Sequence, residues 1–133
     1  MAGEVWYPIL ADVLALHDAM MRDLGENPAP LMADGRGKLE SAINSCEAAA
    51  HYAEADLAEQ AAVLAVRVAQ AHAFVDNNKR VAYIATVIFL RENGHPLPAE
   101  HSMALAYQIE GALEHTKTIT DVAGWLRAVI GDQ

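Results

Sequence analysis

The sequence predicts an all-α fold, a compact bundle of about six helices forming a single domain over residues 1–133. Three observations carry this. The 133 residues are 53% hydrophobic, but 27 of them are Ala and only two are Phe, which favours closely packed helices over sheet. Apolar residues recur at helical spacing, and runs of strand-favouring aromatic or Thr residues are missing. The length suits one domain that buries about two-thirds of its unfolded surface.

Leu10, Val13, Leu14, His17, Met20, Met21 and Leu24 mark a first amphipathic helix, with Pro8 tolerated in its opening turn and Gly25 as its stop. Breakers crowd ENPAPLMADGRG, residues 26–37, which reads as a surface loop. A helical pattern resumes from Lys38 to about Ala50 through Leu39, Ala42, Ile43 and Cys46. HYAEAD is a short connection, and Asp56 stands where it can cap the next helix.

From Leu57 to Ala71, LAEQAAVLAVRVAQA leaves only Glu59, Gln60, Arg67 and Gln70 for water, so this helix is expected to be largely buried. The segment Arg80 to Leu90 is similar: Val81, Ile84, Ala85, Val87, Ile88, Phe89 and Leu90 cover nearly every face, and Gly94 and Pro96 stop it. These two helices are expected to form the centre of the fold. Pro98 opens a helix from about Ala99 to Glu114, and Thr120 caps a last one striped by Val122, Trp125, Leu126, Val129 and Ile130. Neither an internal repeat nor a low-complexity tract interrupts the chain.

Eighteen acidic residues against nine basic ones give a net charge of −9, a field that repels phosphate backbones and acidic membrane surfaces. Direct nucleic-acid binding is not expected. No apolar run reaches the length of a membrane span, and the N-terminal MAGEVWYPIL lacks the pattern of a secretion signal. The single Cys46 cannot form an intramolecular disulfide. A reduced cytoplasmic protein is the simplest reading, with Cys46 a small packed residue rather than a nucleophile.

The chemistry is expected at HAFVDNNKR, residues 72–80, which joins the two most apolar helices. Asp76, Asn77 and Asn78 are all good N-caps, so a merely well-capped junction accounts for one or two of them. It does not account for His72, Lys79 and Arg80, because cations in a first helical turn oppose the helix dipole. Two cations at a positive helix end make sense around an anion. Backbone amides, the Asn78 side chain and the planar fork of Arg80 together suit a phosphate. Asp76 beside a phosphate points to a bridging Mg²⁺, and His72, four residues earlier, is a proton acceptor near neutral pH. A phosphoryl or nucleotidyl transfer site and a capped junction both remain open on spacing alone. A transition-metal site built on His72 and Asp76 lacks a third ligand nearby in sequence.

HAFVDNNKR resembles the signature of the Fic/Doc superfamily, and Asp followed by Asn-Lys-Arg resembles its death-on-curing (Doc) branch. LALHDAM, GRGKLESAI and FLRENGH look like that branch as well, so the resemblance covers most of the chain. It implies that His72 activates a target hydroxyl, that Asp76 holds Mg²⁺, that Asn77, Asn78, Lys79 and Arg80 surround the nucleotide phosphates, and that Phe74 anchors the loop in the core. AMP-transferring members usually have Gly where this chain has Lys79, and a second Arg where it has Tyr83. The Doc branch therefore implies a kinase that places the γ-phosphate of ATP on a Thr of elongation factor Tu and halts translation. An AMP or other nucleotidyl transferase is the alternative. A catalytically silent relative acting as antitoxin partner and co-repressor is another, supported by Asn77 where Gly or Ala is usual; Ala73 replaces a Pro common in the superfamily.

An inhibitory Ser/Thr-x-x-x-Glu-Gly/Asn motif is not found, since Arg22, Ile88 and Ala106 precede Glu26, Glu92 and Glu110 by four residues. The resemblance implies control by a separate antitoxin whose C-terminal segment folds into a groove of the toxin. The acidity of this chain suits a basic segment. His17 reads as a hydrogen-bonded packing residue. Arg36 reads as a loop Arg or a wall of the target groove; His51, His95, His101 and His115 read as surface residues, and Trp6 and Trp125 as packing.

Overall fold

The computed structural model describes residues 4–27 and 31–131. Pro28, Ala29 and Pro30 of the breaker-rich loop lie outside the described residues. In chain order the helices are α1 (Leu10–Asp23), α2 (Gly35–Ala53), α3 (Leu57–Ala71), α4 (Asn78–Glu92), a 3-10 turn (Ala99–His101), α5 (Ser102–Leu113) and α6 (Ile119–Ile130). The all-α expectation holds. An isolated antiparallel bridge between Leu31 and Phe74 is the extended pairing seen among the described residues.

The centre is α3, which packs against α2, α4, α5 and α6. Ala58, Ala61, Ala62, Ala65 and Ala69 are fully buried along it, and their small side chains let four neighbours approach closely. Leu64, Val66 and Val68 fill the spaces between, each contributing about 1.5–3 kcal/mol by leaving water. Both ends of α3 fall where the sequence predicts them. Asp56 caps it, accepting from the Glu59 N–H at 2.9 Å, and the same carboxylate takes Arg127 Nε and Nη2 at 2.7 and 3.0 Å, tying α6 to the start of α3.

Several expectations are corrected. Gln60 does not face water: it is buried, donating to the Ala55 carbonyl and accepting from the Tyr7 hydroxyl, so burial leaves its amide satisfied. The second apolar helix, α4, packs along α3 as expected and buries Val81, Ala82, Ala85, Phe89 and Leu90, but not on every face: Ile84, Val87 and Ile88 are only partly covered. The second helix is longer than its apolar stripe, starting at Gly35 inside the expected loop and ending at Ala53, where Glu54 turns left-handed at φ 52°. The last helix is capped by Thr118, not Thr120, because Thr118 stands three residues before Asp121 and the two complete a capping box.

Candidate active site

The loop between α3 and α4 is built from both ends. α3 stops at His72, whose backbone is left-handed (φ 47°, ψ 44°) and whose side chain is exposed. That change of hand sends Ala73 and Phe74 inward, where both are buried. The Ala73 carbonyl accepts from the Met32 N–H at 2.8 Å, and Gly35, at the start of α2, lies so close that a Cβ there would meet the Ala73 carbonyl oxygen. Phe74 stacks on the His17 ring of α1, with centroids 3.8 Å apart and planes 8° from parallel.

Val75 and Asp76 form the exposed tip. One oxygen of Asp76 accepts from the Asn77 N–H at 2.8 Å, and the Asp76 backbone carbonyl accepts from His17 Nε2 at 3.1 Å. Asn77 adopts the left-handed conformation (φ 65°, ψ 26°) that Asn tolerates better than most residues, and its amide nitrogen donates to Met21 Sδ at 3.0 Å.

Three residues were candidates to cap α4, and none does so. Asn77 occupies the cap position without a side-chain cap bond, and the first turn contains no acidic residue. The Asn78 side chain turns back to the Phe74 backbone instead. The N–H groups of Asn78, Lys79 and Arg80 therefore have no acceptor among the described residues. A positive helix end with open amides and two cations is the arrangement that takes an anion.

Both cations are exposed. Lys79 Nζ lies 3.6 Å from Glu110 of α5, while Arg80 has no ion-pair partner among the described residues. A cavity of about 290 Å³ opens beside them, walled by Tyr83, Ser102, Met103 and Ala106. A wider one, about 640 Å³, runs between α2 and α3 past Lys38, Ser41, Arg67 and Gln70 to Ala71, next to His72. Among the described residues, no three His, Cys, Asp or Glu converge to hold a metal ion.

The structure thus gathers His72, Asp76, Asn77, Asn78, Lys79 and Arg80 on one loop and the helix end it feeds. It also brings in His17, Met21, Met32, Gly35 and Glu110, none of which was singled out for the site from sequence. His17 alone carried a signal, as a polar residue on an apolar stripe. Arg36 is exposed, as are His51 and His115, whereas His95 and His101 are partly buried, His101 lying edge-on to Trp125. Cys46 is fully buried, and burial pushes its thiol up to about 12, with Glu47 adding to the effect.

A helical core that presents this loop defines the class: residues 7–90 match the Fic/DOC family, and the chain belongs to it. The matched stretch runs from the N-terminal segment through nearly all of α4. The chain is similar to the protein kinase doc of Escherichia phage P1, 36% identical over 121 residues that cover 90% of this chain and 92% of that relative. No helix among the described residues is long and apolar enough to cross a membrane.

Proposed function

We propose that this protein is the toxin of a toxin–antitoxin pair and an ATP-dependent protein kinase. It transfers the γ-phosphate of ATP to a Thr or Ser hydroxyl of a translation factor, elongation factor Tu by family resemblance, and so arrests translation in the cytoplasm. One observation carries the reading: α4 begins with three open N–H groups, no carboxylate in its first turn, and Lys79 and Arg80 at its rim. The similarity to a relative named as a protein kinase supports it.

The exposed His72 accepts the proton of the incoming hydroxyl, a contribution of typically 10²–10⁴-fold for a placed base. The amides of Asn78, Lys79 and Arg80, with the two side-chain cations, stabilise charge on the phosphoryl oxygens without having to reorganise. The nucleoside is assigned to the cavity walled by Tyr83, Met103 and Ala106, which adjoins both cations. Mg²⁺ fits the residues present, because among the described residues only one Asp76 oxygen is engaged and Mg²⁺ needs one or two carboxylates beside the nucleotide phosphates. Asp76 would hold it, and it would supply charge neutralisation between phosphates.

Lys79 and Tyr83, in place of the Gly and second Arg of AMP-transferring relatives, favour the kinase over nucleotidyl transfer. The antitoxin is a separate basic chain whose C-terminal segment folds onto this acidic protein. The test is to incubate the protein with elongation factor Tu and ATP labelled in turn at the α- and γ-phosphate. Transfer of γ-label is expected. Transfer of α-label identifies a nucleotidyl transferase, and no transfer by a protein that still binds its antitoxin identifies a silent relative.

A further inference from the structure

We propose that His17 is a positioning residue for the transfer reaction, holding the peptide between Asp76 and Asn77 so that the first turn of α4 stays open. The catalytic part of this rests on the kinase reading; the geometric part does not.

His17 is fully buried, on a helix 59 residues away in sequence from the carbonyl it binds. A carbonyl oxygen can only accept, so the ring carries its proton on Nε2. Nδ1 is then the acceptor, and it is buried with no partner among the described residues. Burying an imidazole with one orphaned nitrogen costs free energy that a Leu or Phe at the same place would not. Packing alone therefore does not call for His here. What His adds is one N–H aimed at Asp76.

The same ring acts on both sides of the turn. Its face stacks on Phe74 and its edge holds the Asp76 carbonyl, fixing the path of residues 74–76. One helical turn along α1, Met21 accepts from the Asn77 amide, so residues 17 and 21 clamp two consecutive loop residues. The clamp holds Asn77 in its left-handed conformation, which Asn tolerates without being confined to it. The N–H of the clamped peptide meets the Asp76 carboxylate, and the Asn77 carbonyl receives the Val81 N–H of α4 at 3.1 Å. Rotating that peptide would re-aim the Asp76 carboxylate and the helix end together.

Two variants separate positioning from packing. His17→Phe keeps the stack and the bulk but removes the N–H, while His17→Gln returns an N–H at similar reach. For each, the measurements are the melting midpoint, amide hydrogen exchange at Asn77 with α3 as internal reference, and kcat and KM for ATP with γ-labelled nucleotide and elongation factor Tu. The expectation for His17→Phe is a melting midpoint at or above wild type, Asn77 exchange at least tenfold faster with α3 unchanged, and kcat lowered about tenfold or more. His17→Gln is expected to recover most of both losses. Wild-type Asn77 exchange or wild-type kcat in His17→Phe overturns the proposal, and so does a His17→Gln variant that folds yet recovers neither. Should wild-type protein transfer no γ-label, the kinase reading fails by itself, and the exchange data still decide whether His17 holds the loop.

Discussion

Asn78 brackets Phe74: its side-chain oxygen accepts from the Phe74 N–H at 3.0 Å while its side-chain nitrogen donates to the Phe74 carbonyl at 2.8 Å. One amide closes the loop across four residues. Its side chain keeps the loop's own polar groups paired, which leaves the backbone N–H as the group of Asn78 open to an anion.

Replacing Asn78 with Ala removes both bonds at once and leaves two part-buried backbone groups unpaired. Loss of about 1–3 kcal/mol of stability is expected in urea unfolding, together with loss of γ-phosphate transfer. Asn78→Asp keeps the acceptor and loses the donor, so it should fall between Ala and wild type in stability. Wild-type stability in Asn78→Ala would refute the bracketing role.

His72→Ala tests the base. The side chain is exposed, so stability should change by no more than about 1 kcal/mol, whereas transfer should fall by roughly 10²–10⁴-fold. Toxicity on expression should disappear. A folded His72→Ala protein that remains toxic would remove His72 from the mechanism.

Gly35→Ala probes the floor of the loop. The added Cβ meets the Ala73 carbonyl oxygen, which is backbone and cannot swing aside as a side chain would. Overpacking of this kind typically costs about 1–3 kcal/mol. Because Ala73 adjoins His72, the expected signature is a kcat loss larger than the shift in melting midpoint explains. An active Gly35→Ala enzyme would show that α2 can slide without disturbing the loop.

Cys46 makes a prediction about alkaline pH. Its Sγ donates to the Gln60 carbonyl at 3.2 Å, and burial raises its pKa from 9.0 to about 12. The folded state holds the thiol proton more tightly, so the stabilisation is complete below pH 9 and is lost as pH rises toward 12. The slope in that window is about 1.4 kcal/mol per pH unit for one group. Cys46→Ala should flatten the alkaline decline by that amount, and wild-type protein should resist alkylation at pH 8 until it unfolds. Equal slopes in the two proteins would contradict the burial argument.

Much of the fold was legible because its rules are local. The bounds of α3 follow from a cap at Asp56 and a mostly apolar helical run, and both are visible within 16 residues. The cap of the last helix was misread as Thr120, although the spacing of Thr118 from Asp121 is that of a capping box and Thr120 offers no such partner. The length of α2 was hidden because Gly35 and Gly37, which ordinarily signal a loop, lie inside the helix. The partial cover of Ile84, Val87 and Ile88 was hidden because an apolar helix gives no sign of how many neighbours cover it.

By itself the sequence determined the helices, the loop that interrupts them and the kinds of side chain that loop contains. Tertiary structure decided what each of those side chains does. His17 and Met21 reach the loop from α1, Glu110 reaches Lys79 from α5, and Gly35 bears on Ala73 from α2. Periodicity and capping act within a few residues, whereas the partner that a loop atom finds depends on which distant helix the packing of α3 brings against it. For that reason Asn77, an ambiguous residue when read along the chain, has a definite place in the folded protein: left-handed at the mouth of α4, with its amide held on the Met21 sulfur.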